Sequence, residues 1–167
     1  MPVINCFFIY SVIGFLFEAT YNLITSNHFS SGIMYGPWTP IYGIGAILTI
    51  QIHKFIFEKS NQNKFVKNLI FFIAIIIVLT ILEWLGGILL ESIFHETLWN
   101  YKNYKFHIGK FIALEISLSW AVLGFVLVYL IKPIVDKIEP KIPKIITIIL
   151  IILYVIDTVV TIITKLK

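Results

Sequence analysis

The stretch NLIFFIAIIIVLTILEWLGGILLESIF, residues 68–94, decides the fold. Its 27 residues hold no lysine and two acids, Glu83 and Glu91. As a helix it would be about 40 Å long at ~1.5 Å per residue, more than the ~30 Å hydrocarbon core of a bilayer. Its many isoleucines favour strands in water. In lipid the backbone must satisfy its own hydrogen bonds, so a long unbroken apolar run is helical. The run is too long for a barrel strand and lacks the alternation of one.

Four more runs of this kind flank it. The expected spans are residues 3–24, 39–57, 68–94, 110–131 and 145–164. The sequence therefore predicts an all-α, polytopic transmembrane helical bundle of about five spans, with residues 1–167 as one integral membrane domain. Composition agrees. The chain is 59% hydrophobic and 13% charged, against about 45–50% and about 25% in soluble domains. Its mean hydropathy is +0.93. Pro133, Pro140 and Pro143 discourage helix continuation after the fourth run. The first run has no basic leader and carries Tyr10 and Glu18, with no small-residue cleavage site, so it is expected to remain as a membrane helix.

Net charge is +4, and all 13 basic residues are lysine. They lie in the short connections, which reads as a signal at lipid headgroups and not as a nucleic-acid face. The lack of arginine removes bidentate guanidinium chemistry. Five spans would put Lys54, Lys59, Lys64, Lys67, Lys132, Lys137, Lys141 and Lys144 on the N-terminal side. Lys102, Lys105, Lys110, Lys165 and Lys167 would lie opposite. That bias predicts a cytoplasmic N-terminus in the cell (inner) membrane. Cys6 stands alone, so neither an internal disulfide nor a cysteine-based metal site is expected.

Five acids fall inside the runs: Glu18, Glu83, Glu91, Glu115 and Asp157. A charge at mid-membrane costs roughly 2.5–3.5 kcal/mol on insertion scales. Counting along each run places all five in the half away from the N-terminus, so one shared acidic cavity is expected there. Tyr10, Gly14 and Glu18 share a helical face, as do Glu83, Gly87 and Glu91. Clustered carboxylates suit a cation, proton or amine substrate. Hydrogen bonding between helices is the competing reading.

A second unusual stretch is Tyr35-Gly-Pro-Trp-Thr-Pro-Ile-Tyr-Gly-Ile-Gly45. Its Gly36, Pro37, Pro40 and Gly43 rule out a plain helix interior. Pro40 suits a first helical turn. The preceding residues read as an ordered turn or re-entrant segment that could place backbone dipoles beside the acids. Tyr35, Tyr42, Trp99, Tyr101, Ser117 and Trp120 are expected to line or shape the opening.

Gly14-Phe-Leu-Phe-Glu18 and the run Gly32 to Gly45 resemble the opening of the Putative ABC-transporter type IV (CmpB-like) family. The resemblance continues through Glu83, Glu91 and Trp99-Asn-Tyr101, then Gly109-Lys110, Glu115, Ser117 and Trp120, covering about residues 10–130. Ser31, Asn100, His107, Lys110 and Ala121 depart from the common family residues. The resemblance implies a bacterial inner-membrane permease and a separate ATPase partner. The chain has no Walker-type phosphate loop of its own.

No cofactor or metal is implied. Glu91 and His95 have ligand spacing, and Glu96 and His107 lie nearby in sequence, but they make no full set. Ser117 and Ser119 have no base within a span, so an intramembrane enzyme is the weakest class. The favoured reading is a permease moving a small, cationic solute, with Glu18, Glu91 and Glu115 binding it and Glu83 and Asp157 relaying or pairing. The alternative is a structural or regulatory subunit of a larger complex, or a homo-oligomer, joined through small-residue helix faces.

Overall fold

The computed structural model describes residues 2–166. Lys167, counted above on the far side, lies outside them. Among the described residues, five helical spans are long and apolar enough to cross a membrane: Pro2–Ser26, Pro40–Lys59, Lys64–Phe94, Leu114–Lys141 and Lys144–Lys165. We label α1 Pro2–Ser26, α2 Pro40–Lys59, α3 Lys64–Phe94, α4 Leu114–Val126, α5 Lys132–Ile138 and α6 Lys144–Lys165. Strand β1, His107–Ile108, pairs antiparallel with β2, Ile112–Ala113, just ahead of α4.

Local chemistry sets the helix ends. Pro40 opens α2, where its missing N–H costs nothing. The Asn63 side chain caps α3 by accepting from the Val66 N–H at 2.9 Å. His95 closes α3 in the left-handed conformation, with φ 56°, and its N–H returns to the Glu91 carbonyl.

The fourth span corrects the sequence reading, which ended it at Ile131. The helix continues to Lys141 as one 28-residue span. Pro133 is accommodated because Leu127–Ile131 widens into a π turn, in which the Lys132 N–H reaches back five residues to the Leu127 carbonyl. Loosening the ladder just before a proline gives its ring room and spares a broken α-helical bond. The start also differs, since β2 occupies residues that the sequence reading placed in the span, and the helix begins only at Leu114.

Packing is thin and local. Ile56, Phe71, Ile75, Leu79 and Val128 bury one cluster between α2, α3 and the π turn. Tyr10, Ala46 and Val135 bury another between α1, α2 and α5. The α1–α2 crossing is close enough to require glycine. A Cβ at Gly43 would strike the Ser11 hydroxyl and approach the Phe7 carbonyl to 2.7 Å. α6 is tethered near both ends. At one end, Thr147 donates to Asn5 at 2.6 Å, and Asn5 donates to Glu139 at 2.8 Å. At the other, Asp157 grips the loop after α1. Most of the other apolar side chains of α6 face outward, among them Ile145, Ile152 and Ile163, while Tyr154 packs on Phe7, Phe8 and Trp38. Such a surface suits hydrocarbon, and the chain is a multi-pass membrane protein.

Candidate functional site: carboxylates and tyrosines at the end of a cavity

All five intramembrane acids lie toward the end of the bundle away from the N-terminus, but they have different partners. Asp157 reaches across from α6 to the Tyr35–Thr39 loop. Its Oδ1 accepts from the Tyr35 N–H at 3.1 Å and the Thr161 hydroxyl at 3.3 Å. Its Oδ2 accepts from the Gly36 N–H at 2.8 Å and the Trp38 indole N–H at 2.6 Å. Four donors explain why a carboxylate rests on an otherwise apolar helix. Lys165 reinforces this junction by donating to the Ile33 carbonyl at 2.6 Å.

Glu91 pairs with Lys110 and accepts from the Thr97 hydroxyl at 2.6 Å. This ties the end of α3 to the β1–β2 hairpin. Glu115 accepts from the Phe106 N–H at 3.3 Å. Its other oxygen is buried without a partner in the protein. Glu18 accepts from the Gly32 N–H at 3.3 Å.

Glu83 is the deepest glutamate and is 5% exposed. It accepts from the Tyr101 hydroxyl at 2.5 Å and the Trp120 indole N–H at 2.9 Å. Tyr42 interacts with both Glu18 and Glu83. Its ring meets Trp120 edge to face at 5.4 Å between centroids. Glu18, Tyr42, Glu83, Tyr101 and Trp120 thus form one connected group, contributed by α1, α2, α3, the third loop and α4. Burial, reinforced by the facing Glu83 carboxylate, pushes the Tyr101 phenol above its usual range, so it stays a donor.

This group caps a cavity of about 130 Å³. Tyr42, Glu83 and Trp120 form its polar end, and Ile13, Leu79 and Leu123 are among its apolar walls. Tyr10 and Thr49 line it as well. Every lining residue comes from α1 to α4 or the π turn, and none comes from α6.

The other residues named from the sequence lie elsewhere. Tyr35 and Gly36 border a shallow groove beside Asp157. Pro37 is exposed on the same loop, and Pro40 sits in the first turn of α2. Gly43 is packed against α1. Ser117 accepts from Thr80 at 2.7 Å and donates to the Ala113 carbonyl at 3.0 Å, so it serves the α3–α4 contact. Trp99 packs on Phe111, with centroids 6.0 Å apart, and its indole N–H is buried without a partner. No group of three or more His, Cys, Asp or Glu among the described residues could hold a metal ion.

A family model described as Putative ABC-transporter type IV matches residues 5–162. The chain belongs to this family. The match runs through all five spans, so the Glu18–Tyr42–Glu83 group and the loops around it are family territory. No curated protein and no solved structure matches the chain. The family member described here is therefore a transporter-type membrane protein whose solute must be argued from its own residues.

Two pairings here fit the competing hydrogen-bonding reading of the acids and differ from what the favoured sequence reading gave these residues. It treated Tyr101 and Trp120 as shapers of an opening, whereas both donate to Glu83. It also counted Lys110 as a topology marker, whereas Lys110 neutralises Glu91. The Tyr10–Gly14–Glu18 spacing was the available signal for the cavity, since Tyr10 and Gly14 line it and Glu18 joins its cap.

Proposed function

We propose that the chain is the membrane-embedded, permease-type component of a transporter, with its N-terminus in the cytoplasm, working beside a separate ATPase. Its solute site is the α1–α4 cavity, and the solute carries one cationic or hydrogen-bond-donating group that meets Glu83. The observation that carries this reading is that Glu83 alone among the five acids lines the cavity. Two of its acceptor positions are taken, and a carboxylate offers about four. Glu18, through Tyr42, supplies a second negative group behind it. Mostly apolar walls favour a compact, lipophilic body over a strongly hydrated ion.

The test is uptake of radiolabelled phenethylamine into vesicles containing the purified chain with its ATPase partner. Glu83→Gln keeps the shape and removes the charge. A drop in uptake of at least tenfold is expected, since one lost charge-assisted contact is worth about 1.5–3 kcal/mol. Uptake equal to wild type would end this reading.

A subunit with a structural or regulatory role is the second reading. Asp157, Glu91 and Glu115 favour it, because their bonds join loops to helices. In that case Glu83→Gln would alter stability and assembly with the partner while leaving uptake by the complex unchanged.

A further inference from the structure

Glu83 is buried and lines the cavity, yet no ion pair among the described residues includes it. The donors that reach its oxygens are neutral, the Tyr101 hydroxyl and the Trp120 indole N–H. The other intramembrane acids solve the same problem differently. Asp157 gathers four donors, and Glu91 takes Lys110. The titratable groups facing Glu83 offer no cation either. Tyr42 of α2 stands between it and Glu18 of α1, a second acid, and Tyr101 comes from the third loop. From α4 it meets Trp120. A carboxylate taken out of water without a cation is costly enough to take up a proton instead. Both of its donors survive that change, because each oxygen of a carboxylic acid keeps a lone pair for them.

We propose that the cavity trades one proton for one ammonium solute: Glu83 is a carboxylic acid when the cavity is empty and a carboxylate when an ammonium group lies against it. As the cation arrives, the Glu83 O–H bond breaks, its electron pair stays on the carboxylate, and the proton passes to water. One positive charge enters and one leaves, so the buried group is neutral overall in both states. Release of the solute reverses the step and takes a proton back. Opening the cavity to one side of the bilayer and then the other would move a proton opposite to each solute. This rests on the reading of the cavity as the solute site and adds proton exchange to it.

Phenethylamine binding to the purified chain in lipid nanodiscs tests this, by calorimetry at about pH 6 in buffers of different ionisation enthalpy, which counts the protons released. At that pH the probe is already an ammonium ion, and a water-exposed glutamate, titrating at about 4.3, has almost no proton left to give. Wild type is expected to release about one proton per amine bound, with affinity rising about tenfold per pH unit. The C=O stretch of a protonated carboxyl should vanish from the infrared difference spectrum as the amine binds. Glu83→Gln should release no proton. Glu18→Gln, which leaves Glu83 in place, should still release it, and this variant and the infrared band carry the assignment if Glu83→Gln does not fold. Binding without proton release, release that persists in Glu83→Gln, or release lost in Glu18→Gln would overturn the inference and leave the solute site standing. Proton release on binding with no Glu83-dependent uptake defeats transport alone. No binding of phenethylamine would overturn the inference together with the solute-site reading.

Discussion

Replacing Asp157 by asparagine isolates what the single acid of α6 does. Its two oxygens accept four bonds, two each, from Tyr35, Thr161, Gly36 and Trp38. An asparagine keeps one oxygen and turns an NH2 toward the other two donors, whichever way it is flipped. Two bonds are lost outright and two lose their charge. With a fully hydrated reference the loss would be about 1.5–3 kcal/mol per bond. In a bilayer the unfolded helices find other partners, and single bonds average ~0.6 kcal/mol with a ceiling near ~1.7. The expected destabilisation is therefore about 2 kcal/mol. Trp38→Phe removes one of the same bonds and should cost about 1 kcal/mol. The two changes together should cost little more than Asp157→Asn alone, because they break the same network. Unfolding in mixed micelles, followed by circular dichroism, measures both. Proteolysis should also open the segment between α1 and α2 faster in Asp157→Asn. An unfolding midpoint within error of wild type, with cleavage no faster, would refute the idea that this carboxylate holds the loop.

Gly43→Ala should destabilise by about 1–3 kcal/mol through overpacking against α1, whereas Gly45→Ala meets only ordinary contacts with Leu79 and Leu82, at 3.4 and 3.6 Å, and should be nearly neutral. Thermal unfolding of the two variants side by side checks the contrast. Tyr101 bears on alkaline stability. Its phenol titrates above the ordinary value of about 10 in the folded chain, so its contribution is complete below that pH and is lost as pH rises through the folded value. Tyr101→Phe should be less stable at pH 8 and should lose less additional stability than wild type above about pH 10. Parallel unfolding slopes for the two chains in that range would contradict it.

The five helices were legible because each run is long enough to leave its backbone no alternative in hydrocarbon. The acids were legible as a set, since counting residues from the run ends puts them in the same half of the bundle. Their partners were not. Helical spacing relates residues three or four apart on one helix, and Asp157 bonds to a loop 119–122 residues earlier in the chain. Glu83 and Glu91 share a face of α3, yet one meets Tyr101 and Trp120 and the other Lys110 and Thr97. Which donor faces which acid depends on how the loops fold over the helix ends. Pro133 misled for a similar reason. A proline ends a regular helix, but the π turn before it changes the register that the rule assumes.

That α6 contributes nothing to the cavity wall bears on how the molecule is made. A nascent chain that has cleared the insertion machinery through Ile131 already owns every side chain of the chamber. The final helix arrives afterwards as a clasp, closing over Asn5 on one side and the Tyr35 loop on the other. Synthesis and assembly of the interior can thus be complete while the last segment is still being threaded into the bilayer.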